Sequence, residues 1–169
     1  EVYGGYKLQG QVRISGSKNS SLPILAASIL SNKKIVLRNI PDVKDISTMI
    51  SLLSSLGSRI TINKKKNLVI INNSKINKTV AQYSLLKTMR AGILVLGSLL
   101  ARFRKATVSL PGGCNIGARP IDLHLKTLSK LGMTFKIVKG YVKAKAPNGL
   151  VGSNIRMPKI SVGATENLI

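Results

Sequence analysis

The feature that most constrains this chain is that it repeats. Leu56-Gly57-Ser58 and Leu131-Gly132-Met133 punctuate the sequence about 75 residues apart, and the pattern before each mark is similar. The first copy opens with the alternation Val12-Arg13-Ile14, which predicts a strand. The turn Ser15-Gly16-Ser17-Lys18-Asn19-Ser20 then offers caps to a helix running through Leu30, with Pro23 expected in its first turn, where a missing N–H does no harm. Ile35-Val36-Leu37 reads as the next strand. A second helix is expected to be capped by Asp45, since Ile46, Met49, Ile50, Leu53 and Leu56 fall at helical spacing and Gly57 ends the run. Arg59–Ile62 and Leu68–Ile71 predict two short strands joined by a lysine-rich turn.

The second copy keeps this order. A long helix is expected from about Leu85 to Arg102, then a strand at Thr107–Leu110, a glycine-rich loop from Pro111 to Pro120 and a helix from about Ile121 to Leu131. A closing hairpin follows at Thr134–Val138 and Tyr141–Ala144, turning on Lys139-Gly140. A third copy starts at Leu150-Val151-Gly152, matching Leu8-Gln9-Gly10, and reaches a capped helix start near Ser161 before Ile169. A chain stopping there is expected to be shortened, its last helix without a packing partner.

Composition narrows the functional classes. Apolar residues make up 44% of the 169, which suits a globular core. Lys and Arg number 27 against 5 Asp and Glu, a formal net charge of +22. Such a field attracts anions, whether nucleic acid, acidic lipid or phosphorylated small molecules, although many lysines sit in scattered polar runs such as 63–67. One cysteine excludes an internal disulfide and a multi-cysteine metal site, and one histidine makes a zinc site improbable. No signal-peptide pattern opens the sequence, and the apolar stretch around Ala91 to Ala101 is short for a bilayer span and reads as a buried helix.

The residues able to carry chemistry sit in four places. Cys114 stands in Leu110-Pro111-Gly112-Gly113-Cys114-Asn115-Ile116-Gly117-Ala118-Arg119-Pro120-Ile121-Asp122-Leu123-His124. Glycines let that backbone approach a ligand, and a cation such as Arg119 tunes the thiol toward acid or nucleophile duty; the bland alternative is a small buried cysteine. Lys18 and Asn19 open a helix, where N–H groups and an ammonium suit an anion. Arg90 lies in an apolar stretch poor in acids, so a ligand anion is a natural partner. Lys159 with Ser161-Val162-Gly163 repeats the pattern of cation, small residues and helix start. His124 reads as a residue that packs near its helix. The glycine spacing matches neither a Walker loop nor a dinucleotide fingerprint, and there is no histidine–acid pairing for a hydrolytic triad.

Ile14–Asn19, Lys87-Thr88-Met89-Arg90-Ala91, Leu110–His124 and Ser161-Val162-Gly163-Ala164-Thr165 resemble, in order, the UDP-N-acetylglucosamine enolpyruvyl transferase family over essentially the whole chain. The cysteine loop is the most specific of these motifs; the Lys-Asn turn is shared with the sister family acting on shikimate 3-phosphate.

The resemblance implies an α+β fold, an inside-out α/β barrel of βαβαββ repeats with helices inside and sheets outside, here about two repeats and the start of a third (about 8–75, 80–147 and 150–169). It implies that residues 1–17 belong or link to a second domain and that 18–169 form an incomplete UDP-sugar-binding domain. The implied activity is transfer of enolpyruvyl from phosphoenolpyruvate to the 3-hydroxyl of UDP-N-acetylglucosamine with release of phosphate, the first committed step of peptidoglycan synthesis, in the bacterial cytoplasm. No cofactor or metal is implied. By position Cys114 is the general acid on the methylene carbon of phosphoenolpyruvate, able to form a covalent adduct and open to attack by fosfomycin. Lys18, Asn19 and Arg119 match phosphoenolpyruvate contacts. Arg90, Arg119, Pro120, Ile121, Asp122, Leu123, Lys159, Ser161, Val162 and Gly163 match UDP-sugar contacts. Members of that family are more than twice as long, and the remainder carries the aspartate base, so the 169-residue chain is expected to be inactive by itself. A basic nucleic-acid-binding module, the shikimate-pathway transferase, and an inactive piece that only binds nucleotide sugar are the competing readings.

Overall fold

The computed structural model describes residue 1, residues 3–111 and residues 121–169. Helices occupy the interior and two antiparallel-rich sheets cover them. The first unit contains α1 (Lys18–Ala27), β1 (Lys34–Arg38), α2 (Lys44–Leu56), β2 (Arg59–Asn63) and β3 (Leu68–Asn72); its sheet has the order β1-β3-β2, both pairs antiparallel. The second unit contains β4 (Val80–Ala81), α3 (Tyr83–Leu86), α4 (Val95–Phe103), β5 (Lys105–Ser109), α5 (Asp122–Lys130), β6 (Thr134–Val138) and β7 (Tyr141–Lys145). Its sheet has the order β4-β5-β7-β6, with β4 parallel to β5. The two sheets are the same motif, β1-β3-β2 answering β5-β7-β6. α6 (Val162–Leu168) opens the third unit.

The core explains the inside-out arrangement. Leu25 of α1, Met49, Leu52, Leu53 and Leu56 of α2, and Leu96, Leu99 and Leu100 of α4 are fully buried. Each such side chain contributes about 1.5–3 kcal/mol relative to exposure. The strands bury only one face: in β7, Val142 and Ala144 are buried while Lys143 and Lys145 face solvent. On that outer face Lys136 stands opposite Lys143, and Lys105 opposite Lys145. Like charges directly across strands are mildly destabilising.

One polar tie joins the units, and a second network braces the first unit internally. Arg102 donates from Nη1 to the Ile29 carbonyl (2.7 Å) and the Ser31 carbonyl (3.2 Å), and from Nη2 to the Asn73 carbonyl (3.0 Å). Asn73, fully buried, donates from Nδ2 to the Ser28 carbonyl at 2.6 Å and accepts from the Ser58 hydroxyl at 2.6 Å.

Several expectations need correction. Residues 3–17 contain no strand; Val12 and Ile14 are 89% and 83% exposed, and a strand needs a paired neighbour that none of the described residues supplies. The first unit therefore lacks the strand that β4 provides in the second. Pro23 is the sixth residue of α1, because Ser17 is the cap, its hydroxyl accepting from Ser20 N at 3.3 Å. Asp45 is not a cap. Val43 holds that position without a side-chain bond, and Asp45 in the first turn pairs with Lys18 at 2.9 Å.

The expected long helix is broken between Leu86 and Arg90. Met89 takes extended backbone, residues Arg90–Leu94 form a 3-10 turn, and a Cβ on Gly92 would lie 2.7 Å from Leu86 Cγ. Residues six apart in a continuous α-helix stand about 9 Å apart along the axis on different faces, so this contact requires the break. β4 escaped detection because two residues cannot show alternation. The hairpin matches expectation: Lys139 and Gly140 both have positive φ (50° and 76°), as a two-residue type I′ turn requires. The last helix has packing partners, lying against α5 and α4.

Candidate active site

Four separate segments converge on one open cleft of about 390 Å³. α1 brings Asn19, Leu22 and Pro23. The 3-10 turn brings Arg90, Ala91, Ile93 and Leu94, and α6 brings Val162, Gly163 and Glu166; His124 of α5 completes the lining. Local sequence accounts for each placement. The Ser17 cap starts α1 just before Asn19. Pro23 has no N–H to give the Asn19 carbonyl, leaving that oxygen without its ordinary helical donor. The break in the apolar run turns Arg90 into the cleft rather than along a helix surface. Ser161 caps α6, its hydroxyl accepting from Ala164 N at 3.3 Å.

Asn19, Arg90, Val162 and Gly163, four of the residues singled out in the sequence, therefore share one site. Others stand apart from it. Lys18 is engaged with Asp45, with its side chain 48% exposed. Ile121 and Leu123 are buried at the start of α5, Asp122 lies exposed in its first turn, and Lys159 is exposed. Cys114, Arg119 and Pro120 lie outside the described residues. Among the described residues no group of three or more His, Cys, Asp or Glu could hold a metal ion, and no helix is long and apolar enough to cross a membrane.

Sequence reasoning undervalued His124. Its ring does pack, being 6% exposed, but it also lines the cleft. Its Nδ1 lies 3.1 Å from Asn167 Nδ2, and Asn167 in turn binds the Ile93 carbonyl (Nδ2, 3.2 Å) and the Gly97 amide (Oδ1, 2.8 Å). Burial and then the Arg90 charge lower the His124 pKa to about 4, against an opposing pull from Asp122. Burial raises the Glu166 carboxyl above its ordinary value. The signals for His124 were its place at the end of the Leu110–His124 motif and its being the sole histidine, two residues after Asp122.

The His124 shift has a sign. The unfolded chain takes up the proton near pH 6.5 and the folded chain only near 4, so stability is full above 6.5 and falls as pH drops toward 4. Thermal melts at pH 7 and pH 5 are expected to show a larger acid loss in the parent than in His124→Phe; equal losses would contradict the assignment.

The fold agrees with the comparisons to known proteins. EPSP synthase from Acinetobacter baumannii superposes with a TM-score of 0.73 at 17% identity, covering 94% of this chain and 37% of that one. The enolpyruvyl transferase NikO from Streptomyces tendae gives 0.71 at 21% identity, covering 88% and 32%. The fold is that of the enolpyruvyl transferases. The family described as EPSP synthase (3-phosphoshikimate 1-carboxyvinyltransferase) matches residues 2–169, and the chain belongs to it. Relatives named UDP-N-acetylglucosamine 1-carboxyvinyltransferase align over the whole chain, at 69% identity in Pelagibacter ubique (strain HTCC1062) and 51% in Aliarcobacter butzleri (strain RM4018). The chain spans 40% of the length of each.

Proposed function

We propose that this chain forms the nucleotide-sugar side of an enolpyruvyl transferase that moves enolpyruvyl from phosphoenolpyruvate to the 3-hydroxyl of UDP-N-acetylglucosamine, in the cytoplasm, at the start of peptidoglycan synthesis. The observation that carries this reading is the convergence of Asn19, Arg90, Val162 and Gly163 on one cleft from three distant stretches of sequence. The relatives so named support the choice of acceptor: the identity to them is 69% and 51%, against 17% to the shikimate enzyme of known structure.

In this reading Cys114 delivers a proton to the methylene carbon of phosphoenolpyruvate, leaving an oxocarbenium-like centre that the sugar hydroxyl attacks. Loss of phosphate and of a methyl proton then yields the enol ether. Both substrates are anions, so Lys18, Arg90, Arg119 and Lys159 offset their mutual repulsion and that of the developing charge. Asn19 joins Lys18 and Arg119 on phosphoenolpyruvate. Arg119 to Leu123 and Ser161 to Gly163 hold the UDP-sugar. Fosfomycin alkylates Cys114, and since the chain has one cysteine, intact mass reports that adduct unambiguously.

Calorimetry tests the acceptor. UDP-N-acetylglucosamine is expected to bind the parent, and Arg90→Met to weaken it about 10- to 100-fold through loss of a charge-assisted contact. Binding of shikimate 3-phosphate with no response to UDP-N-acetylglucosamine would overturn the reading. The facing Lys105–Lys145 and Lys136–Lys143 pairs favour a nucleic-acid surface instead. That reading requires salt-dependent retention on DNA that UDP-N-acetylglucosamine leaves unchanged.

A further inference from the structure

The hydrogen bonds around Asn167 fix more than its own position. Gly97 N–H can only donate, so the atom it meets at 2.8 Å is the amide oxygen. The Ile93 carbonyl can only accept, so the atom it meets at 3.2 Å is the amide nitrogen. Two independent backbone groups thus orient the amide, and its second N–H points at His124 Nδ1. Nδ1 must accept, and in the neutral ring the proton is then on Nε2. Nε2 has no partner among the described residues, yet no buried side-chain nitrogen or oxygen among them is left without one. It therefore opens to the cleft, beside Gly163, where an added Cβ would lie 3.5 Å away.

We propose that Asn167 is a positioning residue that holds His124 with its proton on Nε2, and that this N–H donates to a phosphoryl oxygen of the ligand bound beside Arg90. The proposal rests on the nucleotide-sugar reading of the cleft and names the group that the cleft grips. A guanidinium beside the ring makes the space suited to an anionic oxygen. A neutral imidazole adds a donor there without adding a second positive charge. The titratable groups around the ring are Arg90 from the 3-10 turn, Asp122 from its own helix and Glu166 from α6. Burial and then the first disfavour imidazolium and together outweigh the second, which favours it, so the ring stays neutral through the physiological range.

The sole histidine makes the test direct. In 15N-histidine-labelled chain, Nδ1 is expected to be unprotonated and Nε2 protonated at pH 7, unchanged to about pH 5 given a pKa of about 4. UDP-N-acetylglucosamine should shift the Nε2–H signal; UDP and phosphoenolpyruvate, added separately, distinguish a diphosphate oxygen from the phosphate of the smaller substrate. His124→Phe should weaken the responding probe about tenfold or more, while His124→Gln, which keeps a neutral N–H donor, stays within about threefold. Asn167→Asp can only accept from Nδ1, so it should move the proton there or raise the titration. A proton on Nδ1 in the parent overturns the proposal. So does His124→Phe binding as tightly as the folded parent, or binding that leaves the Nε2–H signal unmoved, and these leave the functional reading standing. Failure of the parent to bind any of the three probes overturns both.

Discussion

Gly97→Ala is expected to lower the thermal midpoint by about 6–12 °C and to abolish measurable nucleotide-sugar binding. Gly97 lies on α4 where α6 crosses it, and a Cβ there would collide with the Asn167 backbone oxygen and come within 2.5 Å of its Oδ1. A backbone oxygen cannot rotate away as a side chain would, so α6 must shift. That shift breaks the bonds from Asn167 to Gly97 N, the Ile93 carbonyl and His124 together. Overpacking costs about 1–3 kcal/mol and buried polar groups left unpaired cost a similar amount. About 3 kcal/mol in total gives the stated shift for a chain of this size. Binding suffers separately, because Val162, Gly163 and Glu166 ride on the same helix. Differential scanning calorimetry and titration with UDP-N-acetylglucosamine check the two effects; a variant with parental melting and affinity would show that α6 is not docked through this contact.

Asn73→Ala is expected to cost about 3 kcal/mol in urea unfolding, without a change in the denaturant slope. The side chain bridges the end of α1 to the start of β2, giving to the Ser28 carbonyl and taking from the Ser58 hydroxyl. Both serines are themselves buried. Alanine leaves the Ser58 hydroxyl unpaired where water does not reach, takes one of two donors from the Ser28 carbonyl, which keeps Ser31 N–H at 3.2 Å, and leaves a void besides. Ser58→Ala removes only one bond and should cost about 1 kcal/mol. If the two variants were equally mild, the network would not be holding the first unit together.

The repeat was legible because its signals are local. Gly57 and Gly132 both take positive φ (112° and 98°) at the ends of their helices, and the hairpin turn announces itself in Lys139-Gly140. Amphipathic spacing placed α2 with its buried Met49, Leu53 and Leu56. What could not be read depends on long-range contacts. An apolar run from Leu85 onward fits one helix or two, and only the approach of Gly92 to Leu86 decides. Val12 and Ile14 alternate like a strand, but alternation does not supply a partner. At the site, Asn19, Arg90, Val162 and Gly163 were visible as motif members. His124 was visible too, as the end of the Leu110–His124 motif, but its role was not, nor was Asn167, since those roles come from hydrogen bonds spanning 43 and 70 or more residues.

The interrupted segment also limits how this protein can be improved. A 3-10 turn advances about 120° per residue where an α-helix advances about 100°, so four steps from Arg90 to Leu94 add about 80° of phase. That rotation lets a guanidinium line the cleft while Gly92, Ile93 and Leu94 just after it sink into an apolar interior. Substitutions that reward regular helix, such as alanine at Gly92, would pull the wheel back into step and swing the cation off its target. The position where helix propensity most invites alanine is thus one where the packing of Leu86, 2.7 Å from an added Cβ, and the aim of the cation both oppose it.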